Sequence, residues 1–196
     1  MDAAADVATT RSPTRNRRSD AIANRERVLV AARECFAESA DAQVQDVARR
    51  AGVGVGTVYR HFANKEALMV ALALNCVDEI HRYASDALAQ DDPWQAIETF
   101  VWAACEKLAA DALSVEALSG EAAGEEINRC SAALTGTIVE LARRARDAGE
   151  VRADLTPEQF ETIVRHLGGA VKGAELSGFE WRSYVRVVLD GLRARS

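Results

Sequence analysis

Apolar residues recur along this chain at steps of three and four, the spacing that lines one face of a helix. A first helix is predicted from about Asp20 to Glu38. Ser19 or Asp20 caps it, Ile22, Leu29, Ala32, Cys35 and Phe36 form its inward stripe, and Val28 joins the margin. A second begins near Asp41 to Gln43 and carries Val44, Val47, Ala48 and Ala51 on one face. Gly52 follows, where a left-handed residue ends a helix without a Cβ penalty. A third starts at Gly54 or Val55 and runs to about Phe62, with Val58 and Phe62 turned inward. Asn64 caps a long fourth helix, Lys65 stands at its first position, and Leu68, Leu72, Cys76, Ile80 and Tyr83 continue the stripe toward Leu88.

Gln90-Asp91-Asp92-Pro93 then breaks the chain, with Pro93 in the first turn of a helix bearing Trp94, Ile97, Val101, Ala104, Cys105 and Leu108. A short helix is expected over Asp111 to Leu118, and a long one from about Glu121 to Ala148, stopped by Gly149. Arg143, Arg144 and Arg146 lie in its last turns, where cations suit the helix dipole; a nucleic-acid patch is the rival reading. Thr156-Pro157-Glu158-Gln159 is a capping box that opens a helix bearing Phe160, Ile163, Val164, Leu167 and Val171 and ending at Ser177-Gly178. The last helix starts near Glu180. The expectation is an all-α fold of about nine helices. Residues 1–19 form a disordered basic arm, residues 20–66 a helix-turn-helix domain, and residues 67–196 a C-terminal domain.

The pair of short helices across Gly52 describes a helix-turn-helix, whose second helix is the one presented to a DNA major groove. Val55, Gly56 and Thr57 would face the groove first. Gly56 lets the backbone approach the bases, and Val55 and the Thr57 methyl suit a thymine methyl. Tyr59 and His61 read as backbone contacts, against the alternatives of a packing aromatic and a surface histidine. Arg60 reaches phosphate or a guanine edge, and Lys65 beside a helix N-terminus suits a phosphate oxygen. With few strong hydrogen-bonding groups on that helix, specificity is expected from Gln43, Gln45, Arg60 and the arm, where Arg11, Arg15, Arg17 and Arg18 suit a phosphate track or minor groove. A solvated tail is the other reading of the arm.

The run AGVGVGTVYRHFANKEAL, Ala51 to Leu68, with DVA at Asp46 to Ala48 before it, resembles the DNA-binding domain of the TetR family of bacterial transcriptional regulators. The resemblance is specific over roughly residues 20–70. It departs at Ser39-Ala40-Asp41-Ala42-Gln43, where the family usually carries a glycine, an aromatic and then a hydroxyl residue before the valine. Asp41 is therefore expected as N-cap, with the Gln43 amide in place of the hydroxyl. The resemblance implies a regulator, read as a repressor, released from a palindromic double-stranded operator by a small-molecule effector. It implies a homodimer whose half-sites lie about 34 Å apart or a multiple of that. It also implies an apolar effector pocket, for which Trp102, Cys105, Leu108, Glu116, Cys130, Leu134 and His166 are the candidates. The dimer is expected to pair the final two helices through Ile163, Leu167, Gly168, Val171, Tyr184, Val185, Val188, Leu189 and Leu192, a core-only role for them being the alternative.

Charge sharpens this picture. The net charge of −6 divides unevenly: Thr9 to Lys65 holds 11 Arg and Lys against 6 Asp and Glu, whereas Glu66 onward holds 13 against 22. A basic head on an acidic body fits a duplex at one end only. Cys35, Cys76, Cys105 and Cys130 are scattered with no CxxC pair, and no signal peptide or apolar run of about 20 residues is present, so reduced thiols in the cytoplasm are expected. No HExxH, GxSxG, phosphate loop or dinucleotide fingerprint occurs, and His61, His81 and His166 have no partners at ligand spacing. No cofactor, metal or catalytic residue is therefore assigned. Two alternatives stay open: a regulator governed by a protein partner or thiol oxidation, and an enzyme using the helical cavity.

Overall fold

A computed structural model describes residues 13–39, 41–110, 124–171, 174 and 178–194. These residues form eight helices: α1 (Pro13–Glu38), α2 (Val44–Ala51), α3 (Val55–His61), α4 (Lys65–Leu88), α5 (Pro93–Ala110), α6 (Gly124–Asp147), α7 (Pro157–Val171) and α8 (Trp181–Leu192). The expected short helix at 111–118 lies outside the described residues. Packing divides the chain after Lys65 into two units, 1–65 and 66–196.

In the first unit α1 packs on α2 and α3 around Val28, Leu29, Ala32, Cys35, Phe36, Val44, Val47, Ala48, Ala51, Val58 and Phe62, all buried. Gly52 stands at φ 66°, and Val53 N–H donates to Ala48 O while Gly52 N–H donates to Arg49 O. That pair of bonds is a Schellman ending, which returns α2's orphan carbonyls to the backbone and turns the chain toward α3. The Arg50 guanidinium forks onto both Glu38 oxygens at 2.8 and 2.6 Å, tying the end of α1 to α2. This bond holds the Glu38 carboxyl below the usual range. The Gln43 N–H does the same for Asp46, whose Oδ2 accepts it at 2.9 Å.

Three expectations for this unit are corrected. Helix α1 starts at Pro13, not Asp20, so residues 13–19 of the supposed arm are helical. Proline suits a first helical turn, and no glycine or further proline interrupts the run to Glu38. Periodicity gives no sign of this stretch because Thr14 to Ser19 include no apolar residue to form a stripe. Ile22, expected on the inward stripe, is instead 61% exposed, and from Asp20 onward burial begins at Val28. The N-cap of α2 is Gln43 and not Asp41, because the Asp46 carboxylate closes the first turn onto Gln43.

In the second unit α5 packs on α6 and α7, and α8 packs on α7 and α5. Phe100, Ile97, Leu141, Phe160, Leu167, Val171, Trp181 and Val185 fill the centre. Asp92 Oδ1 accepts from Trp94 N–H and Gln95 N–H at 2.9 Å each, capping α5 around Pro93. Thr156 and Gln159 close the expected capping box of α7, at 3.2 and 2.9 Å. Arg144 donates to the Leu88 and Asp91 carbonyls at 2.8 Å each, and Arg143 pairs with Glu140 and Asp147. Both arginines thus serve α4's end and α6's own surface. Gly168 is a point of close approach: a Cβ there would stand 2.9 Å from Leu108 Cδ1 of α5.

Gly52→Ala is expected to lower the stability of the N-terminal unit by about 1 kcal/mol, because a Cβ is penalised at left-handed φ even where space is open. Urea unfolding followed by helical circular dichroism reads this. Glu38 and Asp46 add a pH term. Their native pKa values are lowered, so their contribution is complete above the ordinary values of 4.5 and 3.8 and is lost as pH falls through the native ones. Urea midpoints taken between roughly pH 6 and pH 3 should fall over that acid range, and less steeply in Glu38→Gln.

Candidate nucleic-acid interface and helical cavity

Helix α3 has only seven residues, too short to persist without packing. Val58, wholly buried, and Phe62 fix its rotation about its axis. At 100° per residue Gly56 and Arg60 then lie opposite and Tyr59 on the flank, all three exposed, while Val55, on the side of Val58 in the helix's first turn, is 36% exposed. Tyr59 is 47% exposed, so about half of its side chain is open to solvent. Thr57 and His61 are half-buried at the margins, and the His61 ring tilts against Phe62 at 6.2 Å. Nothing would lie within 4 Å of a Cβ at Gly56, so its surroundings are open. Gly54 caps the helix through its backbone, with its carbonyl accepting from Thr57 N–H at 2.8 Å.

The flanking candidates differ in how free they are. Gln45 and Arg60 are exposed, and neither makes a hydrogen bond or ion pair among the described residues. Gln43 spends one amide hydrogen on the Asp41 carbonyl at 2.7 Å. The Lys65 ammonium lies over the Phe36 ring at 5.1 Å, and Arg25 lies over Phe62 at 5.6 Å. Both cations are therefore steered by the aromatic core of the unit toward its surface. Arg49 is tied to Asp46 at 2.9 Å. The nine candidates from Gln43 to Lys65 all belong to the first unit.

The second unit holds a half-open cavity of about 260 Å³. Cys105, Leu108 and Leu134 line it as expected, together with Phe100, Ile138 and Val164. The other candidates need correction. Trp102 packs against Trp181, ring centres 6.1 Å apart, and is not in the lining. Helix α6 turns Ser131 rather than Cys130 to the space, and His166 is exposed because it lies off the buried stripe of α7. Glu116 lies outside the described residues. The carboxylate that does line the cavity is Glu161, 6% exposed, and the sequence reading missed it. The signal was there: Glu161, Val164 and Gly168 fall on one helical face, so an acid interrupts an apolar stripe. Thr135 and Arg165 were missed with it.

The residues proposed for pairing two chains also divide. Leu167, Gly168, Val171, Val185, Leu189 and Leu192 are buried within one chain, where α5, α7 and α8 pack together. They have no surface left to offer a second copy. Ile163 and Val188 are half-buried, and Tyr184 is 41% exposed. Beside them Val187 at 68% and Phe179 at 46% are exposed and were not anticipated; Phe179 and Tyr184 touch at 5.9 Å. Cys35, Cys76 and Cys105 are buried and in no disulfide, and burial pushes Cys105 up to about 12, far from a reactive thiolate. No helix among the described residues is long and apolar enough to cross a membrane.

Two family models match the chain: bacterial regulatory proteins of the tetR family over residues 28–72, and the SbtR-like transcriptional regulator C-terminal domain over residues 92–194. The HTH-type transcriptional regulator SAR0097 of Staphylococcus aureus is 35% identical over 83 residues, a match covering 41% of this chain and 44% of that protein. The HTH-type transcriptional regulator UidR of Escherichia coli is 29% identical over 159 residues, covering 78% of this chain and 81% of UidR. Among solved structures, a TetR transcription regulatory protein from Mycobacterium vanbaalenii is 38% identical with a TM-score of 0.69, over 90% of this chain and 99% of that one. The TetR transcriptional regulator SCO0520 from Streptomyces coelicolor is 26% identical with a TM-score of 0.68, over 88% and 99%.

Proposed function

The chain belongs to the TetR family of bacterial transcriptional regulators, and on that premise we propose that it is a homodimeric repressor which leaves its operator when a small molecule fills the cavity of the second unit. The observation that carries the DNA-binding half is the outward face of α3. It joins an exposed Tyr59, an unengaged Arg60 and an apolar Val55 to a glycine with open space around it. Val55 and the Thr57 methyl suit thymine methyls, Arg60 suits a guanine edge or phosphate, and Tyr59, His61 and Lys65 suit the backbone. Gln43 and Gln45 supply amides at the start of α2. The basic balance of the first 65 residues adds the sequence-independent attraction.

Dimerisation through the exposed face formed by Phe179, Tyr184 and Val187, with Ile163 and Val188 at its border, replaces the buried set. Two copies held this way present two α3 helices to a palindromic site. The effector acts by binding the non-operator conformation better, and the response is limited by that difference in affinity. The high pKa of Cys105 and its burial argue against thiol control at that residue.

Selection of bound duplexes from random DNA, followed by gel shifts with the winner, tests the reading directly; absence of any salt-sensitive duplex binding would overturn it. Tyr59→Ala should weaken binding to all duplexes by roughly tenfold, whereas Arg60→Ala should cost about 1–3 kcal/mol and relax preference at one base pair if it reads guanine. Unchanged gel-shift affinity in both variants would turn α3 away from the groove. Val187→Arg places a charge on the exposed apolar face and should give monomers in sedimentation with the fold intact by circular dichroism; a persistent dimer would put the interface elsewhere.

A further inference from the structure

Glu161 is a carboxylate held in an apolar wall with only one of its two oxygens satisfied. Oε1 accepts the Thr135 hydroxyl at 3.3 Å and the Arg165 Nε–H at 3.1 Å. Oε2 has no partner among the described residues. The Glu161 side chain is 8% exposed, whereas that of Arg165 is 59% exposed, so the pair runs from solvent inward and ends on an acceptor beside the cavity. A carboxylate offers about four lone-pair sites and no donor. Oε2 is not sealed off, so its open acceptor sites are completed by water or by the donor of a ligand in the cavity.

We infer that the cavity takes a compact, mainly apolar molecule carrying one hydrogen-bond donor, an ammonium ahead of a hydroxyl, which docks on Glu161 Oε2. The inference rests on reading this cavity as the effector site and adds the class of ligand. Size sets the first limit. A cavity of roughly 150 Å³ already holds benzene. About 260 Å³ therefore accommodates one ring with a short substituent. Phe100, Val101, Leu108, Leu134 and Ile138 supply the apolar walls. Charge sets the second. An anionic ligand would bring two carboxylates together in a poorly hydrated space. A wholly apolar ligand would strip Oε2 of any water and leave the acceptor bare. Arg165 balances the charge of Glu161 through Oε1 but leaves Oε2 available, so a neutral donor is accepted and a cationic one gains further.

Calorimetric titration of the full chain with four near-isosteric probes tests this: 2-phenylethylamine, 2-phenylethanol, phenylacetate and ethylbenzene. The expected order is amine, then alcohol, with phenylacetate and ethylbenzene at least tenfold weaker than the amine. In Glu161→Gln, which keeps a carbonyl acceptor but no charge, the amine should fall to the level of the alcohol. Phenylacetate or ethylbenzene binding as tightly as the amine, or no binding by any of the four, overturns the assignment; the ranking on the unaltered protein stands whether or not the variant folds. The same titration on the complex with a selected duplex separates the two readings. An amine that binds in the expected order without releasing DNA upholds the ligand class and removes the effector role.

Discussion

The burial of Val58 governs what the first unit offers to solvent. A helix as short as α3 has too few internal bonds to hold itself, so its orientation is borrowed from what it buries. With Val58 sealed and Phe62 beside it, Gly56, Tyr59 and Arg60 are the residues left to solvent. A rotation of one residue, 100°, would bury Tyr59 and bring Val58 to the surface. The Schellman turn at Gly52 and the Arg50 fork on Glu38 then hold α2 where that burial is possible. The interaction surface is thus an outcome of packing beneath it, and the charge of the unit adds attraction without setting geometry.

The second unit follows the same logic with one exception. Its helices are begun by local chemistry, Asp92 around Pro93 and Thr156 with Gln159 around Pro157, and their apolar faces close on one another. Glu161 breaks the pattern. Local rules agree with the fold nearly everywhere in a natural sequence, and a place where they do not is where function is sought first.

Much of this was legible beforehand. The 3.6-residue period located all eight described helices, and capping chemistry placed the starts of α5 and α7 to the residue. The turn at Gly52 and the inward pair Val58 and Phe62 were equally plain, because a left-handed glycine and a four-residue step are local signals. Two kinds of information were not local. Periodicity says that Leu167, Val185 and Leu189 are buried, but not whether the neighbour is the same chain or another, and they proved to face their own chain. Likewise the cavity could not be assembled from one helix at a time. His166 suits a pocket by its chemistry and Cys130 by its place on an apolar stripe, whereas the lining is decided by which side of α7 and α6 meets α5. Glu161 required the opposite habit, asking which residue is wrong for its stripe.

The close approach at Gly168 carries an evolutionary consequence. The gap between α7 and Leu108, itself part of the cavity wall, is kept by the absence of a single carbon atom. One codon change to alanine would shift Leu108 and resize the chamber, while α3, more than a hundred positions earlier in the chain, would be untouched. On the proposed function, chemical preference in one unit and base preference in the other can therefore drift separately under selection. A lineage built that way is free to acquire a new signal without surrendering its old address on the chromosome.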